Sequence, residues 1–115
     1  MKALKLSNGG FFDIDIKSYA DIQRICGSSL DIQEYTAFTK RGIGVLSSSN
    51  STVVSFKVMS SKSNELVDCI CGDIFFVGQK GADDSYSLAE LTSEQRDFII
   101  STLIKDGDTY KVLEE

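Results

Sequence analysis

The chain has 115 residues, of which 42% are hydrophobic and 25% charged, a composition that is typical of one globular domain and excludes wholesale disorder. Its net charge of −5 disfavours binding to extended nucleic acid or to an anionic membrane surface, because both repel an acidic protein. Histidine is absent, which excludes Ser-His-Asp and Cys-His catalysis and metal sites with histidine ligands. We therefore expect one domain over residues 1–115 whose function does not use these centres.

The N-terminal part of the chain predicts a β-hairpin followed by a helix. Residues 3–6 and 12–16 alternate apolar and polar side chains around the turn-forming NGG at 8–10. In the second segment, one face carries Phe12, Ile14 and Ile16 and the other carries Asp13 and Asp15. Residues 18–27 switch to helical periodicity, with one apolar stripe and with Gly27 suited to end the helix.

The middle of the chain predicts extended structure. Residues 30–38 alternate apolar and polar side chains. Residues 44–46 and 52–59 flank the polar run SSSNS, so we expect two antiparallel strands joined by that run. Residues 65–78 also favour a mostly extended conformation, which Gly72 interrupts as a bend or bulge.

The C-terminal part predicts a helix over residues 91–107 and a last strand over 109–113. Thr92 and Gln95 have the spacing of a capping box, and Gly107 is suited to end the helix. Together these segments predict an α+β fold. We expect a small, mostly antiparallel sheet of about six to seven short strands with two helices packed on it.

The charged residues are unevenly distributed along the chain. No Asp or Glu occurs from Tyr35 to Asn64, a span with four basic residues, so the rest of the chain carries −9. The span is also rich in Ser and Thr. Arg and Lys offset the charge of a phosphate, hydroxyl and backbone N–H groups donate to its oxygens, and glycine lets the backbone approach closely. The span therefore predicts a site for a small phosphorylated ligand, because the acidic remainder would repel a long polymer.

The candidate ligand-binding residues all lie in this span. We expect Lys40 and Arg41 to pair with phosphate and the polar residues at 47–51 to donate hydrogen bonds. The candidates for stacking on a base are Tyr35, Phe38 and Phe56. The complete predicted set is Tyr35, Phe38, Lys40, Arg41, Ser47, Ser48, Ser49, Asn50, Ser51, Phe56 and Lys57. The alternative interpretation is a hydroxyl-rich hairpin, because Ser and Asn are ordinary turn residues and Thr is suited to strands.

The other reactive residue types favour structural roles. Cys69 and Cys71 share one face of a predicted strand, but with Cys26 they supply only three of the four ligands of a structural zinc site. We expect these cysteines to pack in the core, and we expect no metal and no cofactor. The carboxylate pairs at predicted exposed positions are Asp13 with Asp15 and Asp83 with Asp84. Because no nucleophile–base constellation is visible, we expect that the protein is not an enzyme.

Three segments carry a set of structural motifs: ADIQRICGSSLDI at 20–32, VDCICGDIFFVGQ at 67–79 and LAELTSEQRDFI at 88–99, with Asn64 before the second. The motifs are a helix stop, a strand with a Gly-Asp turn and a capped helix. In these motifs the chain resembles a family of small uncharacterised domains encoded by phages and other mobile elements. Residues 36–63 depart from the family pattern, and the motifs contain no catalytic residue. Small phage proteins without catalytic machinery often oppose host defence, and one class sequesters immune nucleotides without cleaving them.

The resemblance and the acid-free span lead to one main functional hypothesis. We expect a phage-type anti-defence protein, a cyclic dinucleotide sponge for immune evasion, that binds a cyclic oligonucleotide or an ADP-ribose derivative. The alternative is a protein-binding inhibitor of a host defence or regulatory factor, because an acidic surface steers association with a basic partner. The sequence shows no secretory signal and no membrane-spanning run, so we expect the cytoplasm of an infected bacterial host. We also expect a homo-oligomer, in which two chains surround one ligand.

Overall fold

The structure, a computed structural model, describes residues 2–7, 10–17, 20–21, 24, 30–33, 36–48, 54–60, 62–80, 87–107 and 109–114. Within these residues, ten strands and two helices have both ends defined. The strands are β1 (Lys2–Ser7), β2 (Gly10–Asp15), β3 (Leu30–Gln33), β4 (Ile43–Ser48), β5 (Val54–Ser60), β6 (Leu66–Cys71), β7 (Ile74–Lys80), β8 (Ser87–Ala89), β9 (Ile104–Asp106) and β10 (Thr109–Glu114). The helices are α1 (Thr36–Thr39), which is one turn long, and α2 (Ser93–Thr102).

The described strands form two sheets. The first has the order β2-β1-β7-β4-β3, with β8 paired to the far end of β7, and all of its pairs are antiparallel. The second has the order β6-β5-β10-β9, in which β5 and β10 are parallel and the other pairs antiparallel. The mostly antiparallel pairing is confirmed. The α+β class is confirmed only in coarse form, because the described residues are mostly sheet and contain one helix of more than one turn, α2, where two helices were predicted. The strand count is higher than predicted, because the strands divide between two sheets and two of them, β8 and β9, have only three residues.

One apolar cluster joins both sheets to α2. Its buried members are Leu4, Leu6, Phe38, Ile43, Val45, Val58, Ile70, Ile74, Phe76, Leu91, Ile99, Leu103 and Val112. Phe75 and Val77 alternate with the core residues of β7 and are also 0% exposed, so this strand is buried on both faces. A strand buried on both faces requires apolar residues at successive positions, which explains the uninterrupted sequence IFFV.

The predicted N-terminal hairpin is confirmed, because β1 and β2 pair antiparallel from Lys2 opposite Asp15 to Ser7 opposite Gly10. The apolar face of β2 differs from the pattern that the sequence suggests. Phe12 is 53% exposed, whereas Phe11 packs against the core cluster with its ring centroid 5.0 Å from that of Tyr110. On the predicted apolar face Ile14 is half-buried and Ile16 is 2% exposed, and on the other face Asp13 and Asp15 are exposed, so the prediction fails at Phe12, which Phe11 replaces at the core.

The predicted hairpin of residues 44–46 and 52–59 is wrong. β4 pairs with β3 and β7 in the first sheet, whereas β5 pairs with β6 and β10 in the second sheet. Both edges of each strand are already occupied: β4 lies between β3 and β7, and β5 lies between β6 and β10, so the two strands cannot pair with each other. Of the polar run at 47–51, which was predicted to join the strands, Ser47 and Ser48 belong to β4, and residues 49–51 lie outside the described residues.

Three other local predictions have definite outcomes. The bend at Gly72 is confirmed, because this residue has φ +80° and separates β6 in one sheet from β7 in the other. Residues 36–38 form part of α1 rather than the end of a strand. The C-terminal helix stops at Thr102, so residues 104–106 form β9 instead of a last helical turn, and Ile104 is 46% exposed. Gly107, with φ +67°, occupies the turn between β9 and β10 rather than the helix end.

Two predictions fall largely outside the described residues. Of the first predicted helix, at 18–27, the structure describes Ala20, Asp21 and Arg24, which are helical, and Arg24 pairs with the Asp21 carboxylate. The sequence QKGADDS at 79–85 also predicts a turn, but the structure describes only Gln79 and Lys80 of it, and both belong to β7.

Gly78 in β7 is tightly packed against backbone and provides a test of the fold. A Cβ atom at this position would lie 2.7 Å from the carbonyl oxygen of Glu90 and 2.8 Å from that of Ala89. We expect Gly78→Ala to lower the free energy of unfolding by about 1–3 kcal/mol, because β8 must move away from β7 to make room. Gly10→Ala is the matched control, since its Cβ would meet Phe12 at an ordinary 3.6 Å. Urea denaturation measures both, and an equal effect of the two substitutions would contradict the packing described for Gly78.

Candidate functional site

The two basic residues predicted to bind phosphate lie in a tight turn between α1 and β4. The backbone N–H of Arg41 donates to the carbonyl oxygen of Phe38 at 3.0 Å, and that of Gly42 donates to Thr39 at 3.1 Å. Gly42 has φ +71°, a left-handed conformation that glycine adopts without steric cost. Lys40 and Arg41 are both exposed, whereas Phe38 at the start of the turn is fully buried. The turn is therefore anchored in the core and presents two adjacent cations to solvent.

The Arg41 side chain stacks on an aromatic ring of α2. Its guanidinium carbon lies 3.9 Å from the ring centroid of Phe98, within the range of a cation–π contact. An open pocket of about 310 Å³ adjoins this contact and is lined by Arg41, Phe98, Thr92, Glu94 and Gln95. The structure thus brings a predicted phosphate-binding residue to the wall of a pocket.

Gln95 connects the Arg41 turn to the first turn of α2. Its backbone N–H donates to Thr92 Oγ1 at 3.1 Å, and its Oε1 accepts the Thr92 N–H at 3.0 Å, which confirms the predicted capping box. Its Nε2 group donates to the carbonyl oxygens of Arg41 at 2.9 Å and Gly42 at 3.1 Å. One side chain therefore caps the helix and bonds to the turn.

The remaining predicted binding residues are distributed over both sheets. Phe38 is 0% exposed and packs with its ring centroid 5.6 Å from that of Phe76, so the stacking role predicted for Phe38 has no exposed ring face. Ser47 is buried in β4, and Ser48 follows it in the same strand. Phe56 and Lys57 belong to β5 in the second sheet, where they pair in register with Tyr110 and Lys111 of β10. The other predicted residues lie outside the described residues: Tyr35, Ser49, Asn50 and Ser51.

A second and larger pocket lies where β1 and β2 meet the start of α2. It has a volume of about 630 Å³ and is lined by the cations Lys2 and Arg96 and the carboxylates Asp13, Asp15 and Glu90, among other residues. The Arg96 guanidinium binds Asp13 through two hydrogen bonds, from Nε to Oδ1 at 2.6 Å and from Nη2 to Oδ2 at 3.0 Å. These bonds lower the pKa of Asp13 below its ordinary value and raise that of Arg96. The carboxylate that was predicted to be simply solvated therefore joins β2 to α2.

The sequence did not reveal the partners of Arg41 or of Asp13. The sequence marks Phe98 only as one of the apolar residues of the predicted C-terminal helix, and Gln95 only as a capping residue. Arg96 and Asp13 are 83 positions apart in the chain, so no local pattern connects them. The charges on each element do not identify the partner either, since Asp15 accompanies Asp13 on β2 and Glu94 and Asp97 accompany Arg96 on α2.

The cysteines give a partial outcome for the predicted core packing. Cys69 and Cys71 are free thiols, and both side chains are half-buried on β6. Cys26, the third residue considered for a metal site, lies outside the described residues. Among the residues that the structure describes, no three potential ligands of the His, Cys, Asp or Glu type come together around one point.

Comparisons of the chain with protein-family models, with curated proteins and with solved structures find no match. Across the part of the chain that the structure describes, every helix is too short or too polar to span a lipid bilayer. The charged turn and the two pockets are therefore interpreted from their own geometry.

The Asp13–Arg96 pair predicts a pH-dependent coupling between β2 and α2. The pKa of Asp13 is lowered in the folded protein from an ordinary value of 3.8, chiefly by its hydrogen bond from Arg96. The pair therefore stabilises the fold fully above the unfolded-state pKa, and this contribution is lost as the pH falls through the folded-state pKa. We expect a double-mutant cycle of Asp13→Asn and Arg96→Gln, measured by urea denaturation, to give a favourable coupling at pH 7 that disappears at low pH. A coupling that stays constant from pH 7 to below the folded-state pKa would contradict this account.

Proposed function

We propose that the protein binds and sequesters a small phosphorylated nucleotide without cleaving it. In this proposal it acts as a phage-type anti-defence protein in the host cytoplasm and depletes an immune signal, either a cyclic oligonucleotide or an ADP-ribose derivative. The observation that carries the proposal is the Arg41 guanidinium stacked on Phe98 at the wall of an open pocket. The phage origin is supported by the motif resemblance alone.

The stacked geometry is well suited to a phosphate. The guanidinium carbon lies 3.9 Å from the Phe98 ring centroid, and we propose that the ring covers one face of the group and leaves its in-plane N–H groups to donate to phosphate oxygens as a pair. Lys40 directly precedes Arg41 in the turn and is exposed, so a second positive charge is available to the same ligand. Glu94 also lines the pocket, and we therefore propose that the phosphate binds on the Arg41 side and away from this carboxylate.

The base has two proposed stacking positions. Because Phe38 is fully buried, Tyr35 and Phe56 remain as the aromatic candidates predicted from the sequence. The outer face of the Arg41 guanidinium is the second position, since Arg planes stack on bases as aromatic rings do. In this arrangement the guanidinium lies between the Phe98 ring and the base.

Sequestration requires affinity and protein excess rather than chemistry. A Kd of about 1 nM corresponds to about −12 kcal/mol, which is sufficient for an abundant protein to deplete a signal. We propose that a homo-oligomer supplies part of this affinity, because groups from two chains then surround one ligand.

Reversing the two charges in the Arg41 turn tests the proposal. We expect Lys40→Glu with Arg41→Glu to weaken binding of cyclic di-AMP, cyclic tri-AMP or ADP-ribose by at least about 100-fold, because charged hydrogen bonds to phosphate are replaced by repulsion. Isothermal titration calorimetry measures the affinity. The matched control is Lys17→Glu with Lys62→Glu, which makes the same change in net charge at two other exposed lysines and should leave the affinity within a few-fold. Wild-type protein that binds none of these probes, or two double variants with equal affinity, would contradict the proposal.

A second candidate function is inhibition of a host defence or regulatory protein through acidic surface. The larger pocket favours it, because Asp13, Asp15 and Glu90 outnumber the cations Lys2 and Arg96 in the lining. A lysine or arginine of a basic partner is the chemical group that such a surface attracts. Affinity capture from host lysate separates the two functions, since this one requires a bound protein and the first requires a bound nucleotide.

A further inference from the structure

We infer that Gln95 is a positioning residue that holds the Arg41 turn in its ligand-binding geometry. The inference rests on the proposed function, and it assigns to Gln95 a role beyond the helix cap that the sequence predicts. The residue does not reach the ligand in this role. It acts through the backbone of Arg41 and Gly42.

The hydrogen bonds of the Gln95 amide define its orientation. Oε1 accepts the Thr92 N–H at 3.0 Å, and Nε2 donates to two carbonyl oxygens, those of Arg41 and Gly42. Both hydrogens of the amide group thus have acceptors on the turn. The reverse orientation would place Oε1 against two carbonyl oxygens, which only accept hydrogen bonds.

Among the described residues, the carbonyl oxygens of Arg41 and Gly42 accept few other hydrogen bonds. The N–H of Gln79 donates to the Gly42 carbonyl oxygen at 2.8 Å and fixes the start of β4 against β7. The Arg41 carbonyl receives the Gln95 Nε2 donor, so this bond sets the rotation of the peptide that follows the Arg41 side chain. Because α2 also carries Phe98, one helix both orients the backbone of Arg41 and supplies the ring on which its guanidinium stacks.

Two substitutions at Gln95 separate positioning from capping and from charge. Gln95→Glu keeps an oxygen acceptor for the Thr92 N–H, as capping boxes commonly do, but it loses the Nε2 donors and adds a negative charge. Gln95→Met loses the donors and the acceptor and adds no charge. The loss of the Nε2 donors is the only change that the two variants share.

The first measurement needs no ligand. In the wild-type NMR spectrum, we expect the Arg41 side-chain protons to be shifted upfield by the ring current of Phe98. In both variants these resonances should move towards their values in an unfolded chain, while circular dichroism and cooperative thermal unfolding show that the fold is retained. If the Arg41 resonances keep their wild-type positions in both variants, the inference is overturned.

The second measurement is the affinity for ADP-ribose and cyclic di-AMP. We expect both variants to bind about tenfold more weakly than wild type, the factor that corresponds to losing one or two net hydrogen bonds. Weaker binding by Gln95→Glu alone would overturn the inference, because the added charge then accounts for the effect. If wild type binds neither probe, the proposed nucleotide function fails, whereas the NMR shifts still decide whether Gln95 orients Arg41.

Discussion

The buried position of the Phe38 ring is the constraint on which the charged turn depends. The ring is 0% exposed, and its centroid lies 5.6 Å from that of Phe76 in β7 and 6.2 Å from that of Phe98 in α2. This packing attaches α1 to the first sheet and to the C-terminal helix at once. The chain therefore leaves the core at a fixed point, and Lys40 and Arg41, two and three residues after Phe38, are exposed beside α2. A flexible basic loop would lose more conformational entropy on binding a ligand than this anchored turn does.

Features set by neighbouring residues could be predicted from the sequence, and features set by distant contacts could not. The β1–β2 hairpin, the bend at Gly72 and the Thr92–Gln95 capping box all depend on residues within one or two turns of each other, and the structure contains each of them. The wrong prediction of a hairpin between residues 44–46 and 52–59 has a different origin. Adjacent strands usually pair, as β3 does with β4 and β5 with β6, but β4 and β5 do not pair with each other, because their other partners are the distant strands β7 and β10 in different sheets. Periodicity identifies a strand without identifying its neighbours.

In the candidate site, too, the features set by local sequence were predictable and those set by distant contacts were not. The acid-free span drew attention to Lys40 and Arg41, and charge counting alone was sufficient for this. The aromatic partner was not predictable, because Phe98 follows the apolar pattern of a core-facing helix and lies more than fifty residues away. Its ring packs against Phe38 by an edge-to-face contact and also contacts the Arg41 guanidinium, so one residue belongs to the core and to the candidate site.

Thr92 at the start of α2 lines both pockets, and the basic turn and the carboxylate-rich pocket therefore flank one helix end.

The central claim is that this protein retains a phosphorylated nucleotide, and the most direct measurement is the content of the purified protein itself. Wild-type protein isolated from host cells with an active nucleotide-signalling defence would be denatured, and the released small molecules identified by mass spectrometry. The account predicts a phosphorylated nucleotide in a fixed ratio to the protein chain, of the order of one per chain or one per pair of chains. Release of no phosphorylated compound, together with stoichiometric recovery of a host protein, would contradict it and would favour the acidic-surface inhibitor.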